Sequence, residues 1–470
     1  MDIFSSESGR RSTLVIAMMI AAIALLANLT LIVNPGFYSH DEWQRYDFIT
    51  AHGVHAYLAK YWAIREGKTF ASPVRPIGLI QQGLLALWMK SSPWVPHLAS
   101  AILHSFVAVA LFFTATLAGL SRRAAVLAAL LFCISPLGVL AIGWTAASFD
   151  QWYVLFTLCS IYATFLLMRH GLRAPYMLAL LCFSSAAILC KETAMALPGA
   201  IAGCGLFTNL INGEKIRWRR IVAASAIAAL PIVVYLLIRL PALQRSLAVG
   251  TVAAYRPSVH NLLPNILGYV EFPFIPKLED MISIAYVPAW VRHVALLMHL
   301  ALLACLAWTG HLKVVVAYLF AYFVFLVPIL FIPNTGSHYL YASGIVFSTA
   351  LAWLLTAARV DRTRFVVVLL AGACVCVTTV HAYVMQAQIY ERGICQMHFL
   401  NSLDTIKAQQ ETTQGAVKTI DWQPGTPVYV GSSAIFGREQ YRDFRFRSEP
   451  QNGSADVGAL VMGSDCRVTP

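Results

Sequence analysis

The chain has 470 residues, of which 59% are hydrophobic and only 12% charged, and its mean hydropathy is +0.67. A soluble domain carries about a quarter charged residues, so this much apolar surface cannot be hidden from water inside one core, and lipid is part of the solvent. The net charge of +12 comes with no basic soluble stretch, which excludes a nucleic-acid role and makes the excess a matter of membrane topology.

In lipid, backbone groups must be paired within the spanning segment, which leaves helices or closed barrels. The apolar runs are long and continuous rather than alternating, which excludes the barrel. Arg10 and Arg11 precede an apolar run from about Leu14 to Val33. It is long enough to span and lacks a small-residue cleavage site, so it reads as a retained first helix rather than a signal peptide. Further spans are expected near 97–119, 124–142, 150–168, 175–190, 193–211, 221–239, 291–309, 313–332, 338–357 and 364–386. With the first run near 12–34 this makes about eleven. The fifth is short and poorly separated from the sixth.

The basic residues give an independent reading of topology. With a cytoplasmic N-terminus, the inner segments hold Arg10/Arg11, Arg122/Arg123, Arg169/Arg173, Lys215/Arg217/Arg219/Arg220, Lys313 and Arg359/Arg362/Arg364. The short outer turns near 143–149 and 333–337 hold no Lys or Arg. This is the positive-inside pattern. It places the loops 35–96 and 240–290 and the tail from 387 to 470 on the outer face, with a transmembrane region over 1–386. Asp41 to Lys60 mixes aromatics with charges, as an interfacial helix does. In the tail, Pro427-Val-Tyr-Val reads as a strand. Of the ten cysteines, most lie in apolar runs as packing residues. Cys395 and Cys466 fall in the outer tail, where an oxidising compartment permits a disulfide.

Several residues are candidates for chemistry. Asp41 and Glu42 follow the first helix; one is a candidate general base for an acceptor hydroxyl. The alternative is an ordinary helix start, with Asp41 as N-cap and paired to Arg45. Arg75, held between prolines in Ser72-Pro-Val-Arg-Pro-Ile, suits a phosphate clamp or a headgroup anchor. Asp150 opens the fourth span, as a second active-site acid or as a dipole partner. Lys191-Glu192 lies between apolar runs, where ionisable residues are functional by default, with self-pairing at a turn as the alternative. His338 and Tyr339 open the tenth span, as phosphate ligands or as part of the aromatic belt. His104 reads as a helix-packing histidine. There is no Walker loop, HExxH or nucleophile elbow.

The order of these motifs resembles the GT-C membrane glycosyltransferases. The elements are an acidic pair after helix one, an Arg-Pro in the first outer loop, Leu103-His104, the Ser135-Pro136 to Asp150 stretch and Lys191-Glu-Thr-Ala-Met-Ala-Leu-Pro198. Phe272-Pro-Phe-Ile-Pro-Lys-Leu-Glu-Asp280 and His338-Tyr-Leu-Tyr341 follow. The branch resembled is that of the protein O-mannosyltransferase-like enzymes and their bacterial relatives, over about residues 10–390. The resemblance implies a GT-C-like all-α polytopic bundle with a small mixed tail, in a bacterial inner (plasma) membrane. It implies a hexosyltransferase that moves a sugar from a polyprenyl-phosphate donor to a protein or glycan acceptor on the extracytoplasmic face. Asp41, with Glu42 and Asp150, maps onto the catalytic acids. Arg75, Lys191, Glu192, His338 and Tyr339 map onto donor-phosphate binding. The relatives usually carry Arg-Tyr where this chain has His338-Tyr339. A single displacement inverts the anomeric centre. No metal ligands and no cofactor are called for, and a divalent ion is left open. The competing function is a transporter or flippase of a lipid-linked glycan.

Overall fold

The computed structural model describes residues 7–62, 75–249, 257–277, 284, 286–333, 336–357, 362–409, 418–422, 426–447 and 460–469. Each expected span is helical over most of its length. In chain order the α-helices are α1 (Glu7–Ala27), α2 (Leu29–Ile32), α3 (His40–Trp62), α4 (Pro76–Ala86), α5 (Trp94–Leu117), α6 (Arg122–Cys133), α7 (Pro136–Gly143) and α8 (Ser148–His170). There follow α9 (Ala174–Ile188), α10 (Leu197–Asn212), α11 (Trp218–Val249), α12 (Leu262–Glu271), α13 (Ala289–Val324), α14 (Tyr341–Ala357) and α15 (Arg362–Gln409). Among the described residues, eight helices are long and apolar enough to cross a membrane, and the bent pair α6–α7 makes a ninth.

The difference from eleven has local causes. Helix α9 has only 15 residues. Two predicted spans run together in α13, which breaks at His311 with φ 66° and ψ 170°. Between α6 and α7 the axis turns by 52° at Ser135-Pro136. The proline cannot continue the preceding helix, and Ser135 caps the next one by accepting from Leu137 N–H at 3.3 Å.

The basic segments gather at one end of the bundle. Arg169 donates to the Leu117 carbonyl, Arg217 and Arg220 both donate to the Met168 carbonyl, and Lys313 Nζ reaches the Leu210 carbonyl at 2.9 Å. Cations thereby satisfy the last carbonyls of α5, α8 and α10, where the helix dipole favours them. The starts of α8, α10 and α14 lie at the opposite end.

Helix α15 does not stop at the membrane boundary expected from hydropathy but continues to Gln409. Against it packs a four-stranded sheet of order β2-β1-β3-β4, built from β1 (Lys418–Trp422), β2 (Phe444–Phe446), β3 (Leu460–Met462) and β4 (Val468–Thr469). Strand β1 runs parallel to β2 and β3, and β3 is antiparallel to β4. A Cys395–Cys466 disulfide ties the turn between β3 and β4 to α15. The Pro427-Val-Tyr-Val segment is not a strand: Val428–Ile435 is a helix, α16. Its buried side carries Val430, Gly431, Ser433, Ala434 and Ile435. Gly431 approaches Phe446, Phe399 and Met462 so closely that a Cβ would sit 3.0–3.2 Å from them. Packing on the sheet thus overrides the strand preference of the valines. Phe37, Trp43, Tyr57, Leu79, Phe399 and Met462 share one core that joins α3 and α4 to this tail.

Candidate active site

Helix α3 begins with a capping box. Ser39 Oγ accepts from Asp41 N–H at 3.2 Å. Glu42 Oε2 accepts from Ser39 N–H at 3.1 Å and from Ser39 Oγ–H at 2.9 Å. The cap is therefore Ser39, not Asp41, and Asp41 lies 3.5 Å from His40 Nε2 rather than pairing with Arg45. The S-x-x-E spacing of Ser39 and Glu42 was the available sequence signal for this.

The two acids have different environments. Glu42 is 3% exposed and also accepts from Thr145 Oγ1 at 3.2 Å and Ala146 N–H at 3.3 Å. Burial and the neighbouring Asp41 charge push its carboxyl above the usual range, against the opposing pull of Arg45, Ser39 and Ala146. Its oxygens are occupied in joining α3 to the turn before α8. The Asp41 side chain is 38% exposed and is the solvent-accessible acid of the pair.

Two ion pairs lie at the starts of α8 and α10. Lys191 Nζ donates to Asp150 Oδ1 at 2.5 Å and Oδ2 at 2.6 Å, with side chains 6% and 2% exposed. Arg75 donates from Nε at 3.0 Å and Nη2 at 2.6 Å to Glu192 Oε2, and Tyr235 donates to Glu192 Oε1 at 3.3 Å. Lys191 and Glu192 do not pair with each other. Backbone geometry sends them apart: Lys191 is extended (φ −158°, ψ 142°) and Glu192 opens a 3-10 turn leading into α10. Arg75 precedes Pro76, the first residue of α4. Burial disfavours its charge, but the Glu192 carboxylate outweighs this and holds it protonated.

The tenth-span residues close the ring. Lys191 Nζ sits 4.4 Å from the centre of the Tyr339 ring, a cation–π contact. His338 lies edge-on to Trp144 at 5.0 Å, and Trp144 Nε1–H donates to Ser39 Oγ at 3.0 Å. Gly336 permits this approach, since a Cβ there would sit 2.5 Å from the His338 ring. His338 Nδ1 is buried without a partner among the described residues.

Six of the eight sequence candidates thus fall on one contact network, from Asp41 through Ser39, Glu42, Trp144 and His338 to Tyr339, Lys191 and Asp150, and the Arg75–Glu192 pair lies beside it, within electrostatic reach of Asp150 and Lys191. Ser39, Trp144 and Thr145 join it without having been singled out as site residues. His104 does not: it is buried and hydrogen-bonded to Tyr341 Oη at 2.8 Å, as a packing histidine. Phe272 and Phe274 are core residues, against His381 and His299. Ser72, Pro73 and Val74 of the Arg75 motif and Leu278, Glu279 and Asp280 lie outside the described residues. Among the described residues, no group of three or more metal-ligating side chains is arranged to hold an ion.

No family model and no curated protein matches the chain. Solved structures do. ArnT from Cupriavidus metallidurans bound to undecaprenyl phosphate is 14% identical, with a TM-score of 0.47 over 89% of this chain and 84% of that one. AglB, the archaeal oligosaccharyltransferase from Archaeoglobus fulgidus, in complex with an inhibitory peptide and a dolichol-phosphate, is 13% identical, with a TM-score of 0.41 over 91% of this chain. The match spans 64% of AglB, less than two thirds of its length. The likeness is one of chain path, and neither activity nor ligand follows from it.

Below the ion pairs, between α8, α10, α13 and α14, lies an apolar cavity of about 230 Å³, lined by Val154, Leu158, Phe207, Phe320 and Ile345 among others. It runs along helices α8, α10 and α14, at or just before whose N-terminal ends lie Asp150, Lys191 and Tyr339.

Proposed function

We propose that this chain is an inverting hexosyltransferase that moves a sugar from a polyprenyl-phosphate donor to an acceptor hydroxyl at the outer face of a bacterial inner membrane. The observation that carries the reading is the gathering of an exposed acid, Asp41, the buried Lys191 and the half-buried Arg75 at the same end of the helix bundle. The motif resemblance supports it from the sequence side. A phosphosugar is too polar to enter lipid, so its reaction belongs at this level, with the isoprenoid chain in the apolar cavity below.

The geometry supports the following roles. Asp41 takes the proton of the acceptor hydroxyl as its oxygen attacks the anomeric carbon. The bond from that carbon to the phosphate oxygen breaks, and the electrons leave on the polyprenyl phosphate. Arg75 has its Nη1 edge unused by Glu192, Lys191 has a third N–H, and His338 has Nδ1; these are the donors for the leaving phosphate. Glu42 positions α3 and does not reach the acceptor. Outer placement of the tail is supported by the Cys395–Cys466 bridge, which persists in an oxidising compartment. The 387–470 segment is read as a small extracytoplasmic domain, with the protein or glycan acceptor arriving on its side.

The test is incubation of purified protein with labelled polyprenyl-phosphate sugars and candidate acceptors, with magnesium and with chelator. Label transferred by wild type and lost in Asp41→Asn supports the reading. Translocation of labelled donor across vesicles without transfer, equal in Asp41→Asn, would replace it with a flippase.

A further inference from the structure

We infer that Arg438, in the outer tail, is a positioning residue for Asp41. The inference rests on the reading of Asp41 as the base. The Arg438 side chain is 2% exposed and forks Asp47 of α3, Nε to Oδ2 at 2.6 Å and Nη2 to Oδ1 at 3.1 Å. Its guanidinium lies 4.6 Å from the Trp43 ring centre and 4.8 Å from that of Tyr441. Nη1 donates to the Ala434 carbonyl at 3.1 Å, so the group is fixed to the end of α16 as well as to α3.

A second contact sets the same face. Gln44 Nε2 donates to the Phe436 carbonyl at 3.0 Å. Gly437 has φ 68°, and a Cβ there would sit 2.5 Å from Gln44 Nε2, so this approach needs glycine. His40, whose Nε2 is 3.5 Å from Asp41 Oδ1, lies edge-on to Phe436 at 5.1 Å. The tail therefore grips α3 at residues 40, 43, 44 and 47, on both sides of Asp41 in sequence.

The grip is anchored to the last membrane helix. Besides the Cys395–Cys466 bridge, Tyr441 donates to Asp404 Oδ1 at 2.7 Å and Lys407 Nζ donates to the Gln440 carbonyl at 3.1 Å. An apolar contact would hold two elements together as strongly as a buried ion pair does. What a forked guanidinium–carboxylate pair adds is fixed direction. Asp47 lies six residues beyond Asp41, about 9 Å along a rigid helix axis, so rotation at one is rotation at the other. Misplacing a catalytic group by about 1 Å can cost a factor of roughly 100 in rate.

The experiment measures turnover and donor KM for Arg438→Lys, Asp47→Asn and the exchange pair Asp47→Arg/Arg438→Asp. Spin labels at Thr50 and Asn401 report the distance between α3 and α15. Expected are a fall in kcat of about tenfold to a hundredfold in the single variants with donor KM within about twofold, a broadened label distance, and partial recovery of both in the exchange pair. Wild-type kcat in Arg438→Lys and Asp47→Asn would overturn the inference, as would an unchanged label distance. An active Asp41→Asn would instead remove the base reading, which the Arg438 and Asp47 variants alone do not test.

Discussion

Lys191→Met should separate the structural from the chemical part of the Lys191–Asp150 pair. The pair is bidentate at 2.5 and 2.6 Å and both side chains are under a tenth exposed, so solvent screening gives little relief. Removing one partner of such a pair leaves an uncompensated buried charge, which costs about 3–5 kcal/mol. At 1.36 kcal/mol per decade this is a factor of roughly 150 to 5,000 in the folding equilibrium. Asp150→Leu should cost a similar amount. The double variant removes both charges and should recover most of the loss, because a buried ion pair exchanged for apolar groups is often neutral. Chemical unfolding in detergent micelles or nanodiscs, run as a four-member cycle, reads the coupling. Turnover should stay low in the double variant even where stability returns, since the phosphate ligand is gone. Single variants within about 0.5 kcal/mol of wild type would refute the buried-pair argument, and an active double variant would refute the role of Lys191.

Asp41→Asn should lower the transfer rate by a factor of about 100 to 10,000 with donor binding near normal, whereas Glu42→Gln should be milder in rate; the reverse order, measured by steady-state kinetics, would move the base to Glu42. Burial, then the Asp41 charge, raises the Glu42 carboxyl above its ordinary value of 4.5. Its contribution to stability is therefore full below that ordinary value and is lost as pH rises through the raised one. Thermal unfolding from about pH 4 to 8 should show wild type losing stability relative to Glu42→Gln as pH rises, and parallel curves would contradict this. Reporter fusions at Ser121–Arg123 and after Gln409 should read opposite sides of the membrane, and matching readouts would refute the topology.

Helix existence was legible because lipid imposes it: long apolar runs have no other way to pair their backbones. The candidate residues stood out in the sequence because ionisable side chains are costly near lipid. Their partnerships were not. Lys191 and Glu192 are neighbours in sequence, yet one pairs with Asp150 and the other with Arg75, which depends on a backbone turn and on the packing of α4, α8 and α10. The division of labour between Asp41 and Glu42 was half legible: the capping box was written in Ser39 and Glu42, but its burial against Thr145 comes from tertiary packing. In the tail, Cys395 and Cys466 were legible as a permitted pair because they lie outside the apolar runs, while α16 was misread because three β-prone residues outweigh, locally, a packing site that only the sheet creates.

His338 raises the last question of charge. Arg75 and Lys191 are each matched by a carboxylate, so the four groups together carry no net charge. This makes sense before the donor binds, because an unpaired Lys191, 6% exposed, would cost several kcal/mol. A phosphate entering the site therefore meets directed N–H groups rather than a surplus of positive charge. An arginine at 338, as the resembled family usually has, would supply that surplus; the neutral imidazole does not. His338→Arg should accordingly tighten donor binding. A new charged hydrogen bond is worth about 1.5–3 kcal/mol, a factor of roughly 10 to 150 in donor KM. Turnover should not rise in step, since a cation that also holds the product phosphate slows its release. Titration of the purified variant with a polyprenyl phosphate measures the affinity directly. An unchanged or weaker affinity in a folded His338→Arg protein would show that the phosphate does not approach the tenth-span residues, and would leave Arg75 and Lys191 as its ligands.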